Sequence, residues 1–148
     1  MNIEELLKKQ GKIAYTIKGI SMMPLLRQDK DIVIIEDSRN KDYSDYDVVL
    51  YKRENANKKD YVLHRIQKDN HDGTYCIMGD NTLTEETVKR ENIIGILESI
   101  KRGKRTIKKE DRFYKAYVNT WCKHYKVRVT ILKIMSRIKQ LKHSAGHL

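Results

Sequence analysis

Apolar residues along this chain follow three successive patterns. Over the first ten residues, Ile3, Leu6 and Leu7 share one face of a helical wheel, with Glu4 and Glu5 between Ile3 and Leu6 and with Lys8 and Lys9 following. A short, acidic-then-basic amphipathic helix is predicted there. From Lys12 the repeat shortens. Lys12 to Ile20 alternates weakly and reads as a strand running into a turn. Asp31-Ile32-Val33-Ile34-Ile35 and Asp47-Val48-Val49-Leu50-Tyr51 are apolar runs too short for typical helices and rich in β-branched residues. Glu54 to Asp60 reads as a polar loop, followed by the strand-like Tyr61 to Ile66. Asp72-Gly73 is a hairpin signal that opens Thr74 to Met78, and Gly79-Asp80-Asn81 is a second turn. Asn92 to Ile100 holds Ile93, Ile94, Ile96, Leu97 and Ile100, a buried strand. Residues 12 to 108 are therefore expected to form a mainly β core.

The third pattern begins at Asp111. From there to Leu141 the chain has neither glycine nor proline. Tyr114, Tyr117, Val118, Trp121, Cys122 and Tyr125 recur at helical spacing, as do Ile131, Ile134, Met135, Ile138 and Leu141. Val127-Arg128-Val129 interrupts the pattern, which predicts two helices or one kinked helix, with a frayed end from His143 to Leu148. The expected organisation is an antiparallel β domain over residues 1–110 with a short N-terminal helix, then a basic helical tail over 111–148.

Charge sharpens that division. The chain of 148 residues has a net charge of +11, but residues 101–148 carry fifteen Lys and Arg against two acids. Residues 1–100 carry sixteen against eighteen, so the basicity belongs to the tail. A basic amphipathic helix with Trp and Tyr has three readings. It lies on an anionic membrane surface, or packs its apolar face on the β domain, or contacts nucleic-acid phosphates. No nucleic-acid-binding motif accompanies the charge, so that third partner is disfavoured. No window approaches 18 uncharged apolar residues, and the N-terminus lacks the apolar centre of a secretory signal, so neither a membrane span nor a leader is expected. Cys76 and Cys122 make no disulfide framework and are expected as small buried hydrophobes in a reducing compartment. No histidine pair has ligand spacing and there is no Cys-x-x-Cys, so neither metal nor cofactor is expected.

Candidate chemistry comes from three short stretches: Gly19-Ile20-Ser21-Met22-Met23-Pro24, Leu63-His64-Arg65-Ile66 and Gly79-Asp80-Asn81. Singly they read as a turn serine, a strand histidine and a hairpin turn. His71, His124, His143 and His147 lie in a turn or in the basic tail and look incidental. A serine hydroxyl needs a base within hydrogen-bond reach, and imidazole has a suitable pKa, about 6.5. A carboxylate behind the imidazole can fix its tautomer. Gly19 permits a tight turn or close approach of a substrate. Pro24, the only proline, stiffens the segment. Met22 and Met23 are adaptable pocket-lining side chains.

In this order, with β-rich sequence between them, the three stretches resemble the type I signal peptidases, which share a catalytic fold with LexA-type self-cleaving repressors. The variant resembled is that of the endoplasmic reticulum, archaea and some spore-forming bacteria, with histidine in place of the bacterial lysine. The resemblance spans about residues 15–100. It implies Ser21 as nucleophile, His64 as general base and Asp80 as orienter or structural support. Gly19, Met22, Met23 and Pro24 then stand on the substrate side, and the Ser21 N–H serves the oxyanion. Lys52, Lys58 and Lys59 fall in the polar loop, which is not the dry setting a lysine base needs. The implied activity is serine endopeptidase cleavage of a peptide precursor or leader by a Ser/His dyad. Relatives bind substrate as an added β-strand and prefer small residues one and three positions before the cut. They carry membrane anchors that this sequence does not display, which directs the expectation to the cytoplasm or the inner membrane face, peripherally attached. Two alternatives stay open: a LexA-like self-cleaving regulatory domain, and a non-catalytic peptide- or membrane-binding module.

Overall fold

The computed structural model describes residues 2–55 and 58–145. Helix α1 (Ile3–Gln10) begins where the Asn2 side chain accepts the Glu5 N–H at 2.8 Å and ends at Gly11, whose φ is +77°. It presses the fully buried Leu7 onto the sheet. Eight strands follow: β1 (Lys12–Thr16), β2 (Ile32–Asp37), β3 (Val48–Asn55), β4 (Lys58–Asp69), β5 (Thr74–Met78), β6 (Glu86–Lys89), β7 (Ile93–Arg102) and β8 (Arg105–Lys108). They form one antiparallel sheet in the order β1-β2-β7-β3-β4-β5-β6, with β8 paired to β7.

Apolar side chains cover both faces of the sheet centre. Val48, Leu50 and Leu63 join a cluster with Leu7, Ile13, Val33 and Met22, while Val49, Tyr51 and Ile66 join another with Tyr75, Ile77 and Val88. That double burial is why β3 begins as an unbroken apolar run instead of an alternating one. The β3–β4 hairpin continues past the core, with Arg53 opposite Asp60 and Asn55 opposite Lys58 in register. The segment expected as a polar loop is therefore mostly paired strand. Backbone pairing needs no apolar side chains once the strands leave the core. The expected strand from Lys12 to Ile20 stops at Thr16, because Ile17, Met22, Leu25 and Leu26 turn inward to fill the core under the following loop. That loop is closed by the buried Asp31 carboxylate, which accepts Arg102 Nε at 2.9 Å and Nη2 at 2.7 Å.

After β8 come α2 (Arg112–Tyr117), a π-helical turn (Val118–Cys122) and α3 (Tyr125–Ala145). The helical break thus falls at the π turn and not at Val127–Val129. The wider turn lets the first part of this segment address one point on the β domain. Tyr117 Oη donates to Asp80 Oδ2 at 2.7 Å, Trp121 Nε1 donates to the Asp80 carbonyl at 2.8 Å, and Tyr114 Oη accepts from Arg65 at 3.1 Å. Cys122 is buried there and Cys76 is half-buried; burial, aided by Glu85 at Cys76 and Asp80 at Cys122, pushes both thiols up to about 12. Helix α3 is continuous to Ala145, through the start of the expected frayed end; residues 146–148 lie outside the described residues. Among the described residues no helix is long and apolar enough to cross a membrane.

Arg128 is a costly element of the α3 contact. Its side chain is 1 % exposed, its Nη2 lies 3.0 Å from Met78 Sδ, and its Nε and Nη1 are buried without a hydrogen-bond partner. A buried cation so poorly compensated opposes folding. Arg128→Met, similar in length and apolar, is expected to stabilise the fold by roughly 1–2 kcal/mol, read as a higher midpoint of thermal unfolding. A lower midpoint would mean the guanidinium is better satisfied than its contacts indicate.

Candidate functional site

The Ser21 turn is held by a second turn about sixty residues further on. Gly19, at φ +85°, makes the left-handed bend that an L side chain disfavours. Asn81 then grips both sides of Ser21: its backbone N–H donates to Ser21 O at 2.9 Å and its Nδ2 donates to Ile20 O at 3.0 Å. The Met23 N–H also reaches Ile20 O, at 3.1 Å. Ile20 O and Ser21 N belong to one planar peptide, so these bonds fix the direction of the Ser21 N–H. The Asp80 N–H meets Met22 Sδ at 3.5 Å.

His64 enters from β4, paired in register with Val49 of β3. Gly79 is where it meets the serine turn. A methyl group at Gly79 would stand 2.6 Å from Ser21 O, 2.8 Å from Thr82 Cγ2 and 3.0 Å from His64 Nε2. Only glycine leaves room for the backbone of the candidate nucleophile and the ring of the candidate base together. Ser21 and His64 also line one cavity of about 310 Å³. Ile17, Met22 and Leu63 give it apolar walls, and Lys18 and Arg53 give it cationic ones. Of the four residues expected on the substrate side, Gly19 and Met22 line this cavity. Met22 is otherwise a core residue, while Met23 (39 % exposed) and Pro24 face outward and lie outside the lining. Lys52 lies on the opposite strand face from Tyr51 and Arg53 and reaches Glu4 at 3.6 Å. The side chains of Lys58 and Lys59 lie outside the described residues. A larger cleft of about 600 Å³ opens between Arg39, Gly73, Lys89 and Ile93, and neither serine nor histidine lines it.

Asp80 and His64 have different partners. The Asp80 carboxylate is fully buried and takes a two-pronged bond from Arg65, with Nε at 2.9 Å and Nη2 at 3.0 Å, besides the Tyr117 hydroxyl. Of the two roles open to Asp80, these bonds favour support: it ties the Gly79–Asn81 turn to β4 and to the helical segment. Behind His64 stands Tyr51 instead, with its Oη 3.2 Å from Nδ1. Tyr51 Oη in turn donates to Glu86 Oε1, which also receives Arg53 Nη2 at 2.5 Å. Burial pulls the His64 imidazole down to about 4, with the nearby Glu86 charge opposing and Arg53 assisting. Burial pushes Glu86 upward, but hydrogen bonds from Arg53 and Tyr51 outweigh it and hold the carboxylate below its ordinary range. Burial and the Glu86 charge raise Tyr51, so it keeps its proton.

Tyr51, Arg53 and Glu86 are the residues that sequence reading missed. Alternation along β3 places Tyr51 and Arg53 on the His64 face, a signal available once His64 is assigned to the neighbouring strand. Glu86 sits on β6, four residues with one buried side chain, too short for a recognisable pattern. Among the described residues no cluster of three or more His, Cys, Asp or Glu could hold a metal ion.

His64 makes stability depend on pH in a calculable direction. The folded chain keeps the ring neutral down to about pH 4, whereas the unfolded chain protonates it near 6.5. Between those values the unfolded state binds more protons, so stability falls as pH falls. From pH 7 to pH 5 the loss from this group is about 2 kcal/mol, and His64→Gln is expected to remove that part of the slope in denaturant titrations. An unchanged slope in the variant would mean that the ring titrates normally. Compared with known proteins, the chain matches no family model, no curated protein and no solved structure.

Proposed function

We propose that the chain is a serine endopeptidase of the signal-peptidase type, acting through a Ser21/His64 dyad on a peptide precursor or leader. The observation that carries the reading is the convergence at Gly79 of the Ser21 turn and the His64 Nε2 edge, opening on a shared cavity. His64 is neutral at pH 7 and has a lone pair to receive the serine proton, while the same burial makes it a weaker base than a free imidazole. Ser21 Oγ attacks the scissile carbonyl as its proton passes to His64. The developing oxyanion is met by the Ser21 N–H, whose peptide plane Asn81 fixes. His64 then gives the proton to the leaving amine, and water hydrolyses the acyl-enzyme. Asp80 supports the geometry. Among the described residues strand β1 pairs with β2 alone, and it runs into the Ser21 turn, so its other edge suits a peptide added as a strand. The preference for small residues before the cut is carried over from the family resemblance.

The site of action we assign is the cytoplasm or the inner membrane face, with α3 lying on the anionic lipid surface. Val127, Ile131, Ile134, Ile138 and Leu141 recur at alternating spacings of four and three and are all exposed. The helix carries six Lys and Arg and no acid. Against a second copy, Arg137 and Lys142 beside the stripe would face like charges across a coiled coil. An anionic bilayer accepts both the stripe and the cations, at about 1 kcal/mol per basic residue near the surface.

Two experiments test these readings. Wild type and Ser21→Ala are incubated with a diverse peptide pool and the products sequenced by mass spectrometry. The expected result is cuts after small residues that fall by about 10³-fold or more in the variant, with its thermal unfolding unchanged. Identical product patterns from both proteins would sink the mechanism and favour a binding module. In co-sedimentation, phosphatidylglycerol-containing vesicles are expected to retain wild type, and Ile134→Glu with Ile138→Glu to release it. Equal retention by purely zwitterionic vesicles would rule out the charge-assisted surface.

A further inference from the structure

We infer that Tyr51 and Glu86 position His64 as the Nδ1–H tautomer, leaving Nε2 as the nitrogen that bears the lone pair at the Gly79 and Ser21 side. The catalytic value of this arrangement rests on the peptidase reading; the tautomer itself does not.

Proton counting around the tyrosine carries the inference. A tyrosine hydroxyl has one proton to donate and lone pairs to accept with. Tyr51 Oη is within hydrogen-bond reach of Glu86 Oε1 and of His64 Nδ1. Glu86 also faces the Arg53 guanidinium and is ionised, so it offers acceptors only. The single Tyr51 proton therefore goes to Glu86. The remaining contact, at 3.2 Å, becomes a hydrogen bond only if Nδ1 carries the proton and donates it to the tyrosine oxygen. A neutral imidazole has one proton, so Nε2 is then bare.

The other groups around the ring fit this assignment. Arg53 on β3 and Glu86 on β6 neutralise each other at 2.5 Å. Asp80, in the turn after β5, is occupied by Arg65 and Tyr117 and does not present its carboxylate to Nδ1. His64 thus abuts a neutral hydroxyl where a carboxylate commonly stands behind a catalytic histidine. When Nε2 takes the Ser21 proton, the imidazolium Nδ1–H still donates to Tyr51, whose oxygen is made a better acceptor by its bond to Glu86. No proton leaves the ring toward Tyr51. Tyr51 and Glu86 act on the reaction through His64, as positioning residues.

The test is ring-nitrogen NMR of the full chain labelled with ¹⁵N-histidine at pH 7, with the His64 signals assigned by their loss in His64→Gln. Wild type is expected to show a protonated Nδ1 and a bare Nε2. Tyr51→Phe, which keeps the ring but removes the acceptor, is expected to shift the population toward Nε2–H. In the cleavage assay it should lower kcat by about 10–100-fold at unchanged KM, a part of what a positioned base contributes. A protonated Nε2 in wild type overturns the inference whether or not Tyr51→Phe folds. So does a folded Tyr51→Phe with the wild-type tautomer. The two failures separate cleanly. The expected tautomer without Ser21-dependent cleavage overturns the peptidase reading alone, and Ser21-dependent cleavage with a protonated Nε2 overturns this inference alone.

Discussion

The arrangement of the site depends on the buried ion pair of Arg65 and Asp80. Both side chains are fully buried, which is expensive for two charges unless nearly every donor and acceptor is used. Here Arg65 gives two bonds to the carboxylate, one to the Tyr46 carbonyl and one to the Tyr114 hydroxyl, while Asp80 takes a further bond from Tyr117. The Asp80 charge outweighs the burial of Arg65 and raises it well above its ordinary value. Arg65 directly follows His64, and Asp80 stands between Gly79 and Asn81. The pair therefore fixes, one residue away on each side, the ring that meets Ser21 and the turn that grips Ser21. Breaking such a pair from one side costs on the order of 3–5 kcal/mol, so the geometry is held stiffly.

Alternation along β4 separates the buried ion pair from the candidate base. Arg65 points to the face that receives α2 and the π turn, while His64 points to the face closed by Tyr51 and Glu86. A polar histidine inside an apolar strand is thus accounted for by its neighbours. It is buried, its Nδ1 faces a hydroxyl, and its Nε2 edge lies against a glycine where any side chain would collide.

The sequence disclosed what short-range chemistry writes into it. Strands β2, β3 and β7 and the middle of β4 were legible because each carries an apolar run, β5 because the Asp72-Gly73 hairpin signal opens it, and the helix at Ile3–Gln10 because its charges and apolar face agree. The three candidate motifs were legible as motifs. Their partners were not: Arg65 and Asp80 are fifteen positions apart, Tyr51 and Glu86 thirty-five, and no local pattern announces such pairs. The end of the β3–β4 hairpin was hidden because solvated strand and polar loop share a composition. The π turn was hidden because its cause is tertiary, namely the need of Tyr117 and Trp121 to reach one aspartate.

The grip of Asn81 on Ile20 and Ser21 has a consequence for the order of events during biosynthesis. Within residues 17–26 the Met23 N–H reaches the Ile20 carbonyl, but the bond to Ser21 O and a second bond to Ile20 O come from residue 81. The turn containing Asn81 is itself secured by Tyr117 and Trp121. A nascent chain that ends before Trp121 already holds the serine, the histidine and Asn81, but its Gly79–Asn81 turn lacks the bonds from Tyr117 and Trp121 that secure it. The candidate serine and histidine are held in register only once the segment through Trp121, about forty residues beyond Asn81, has docked on that turn.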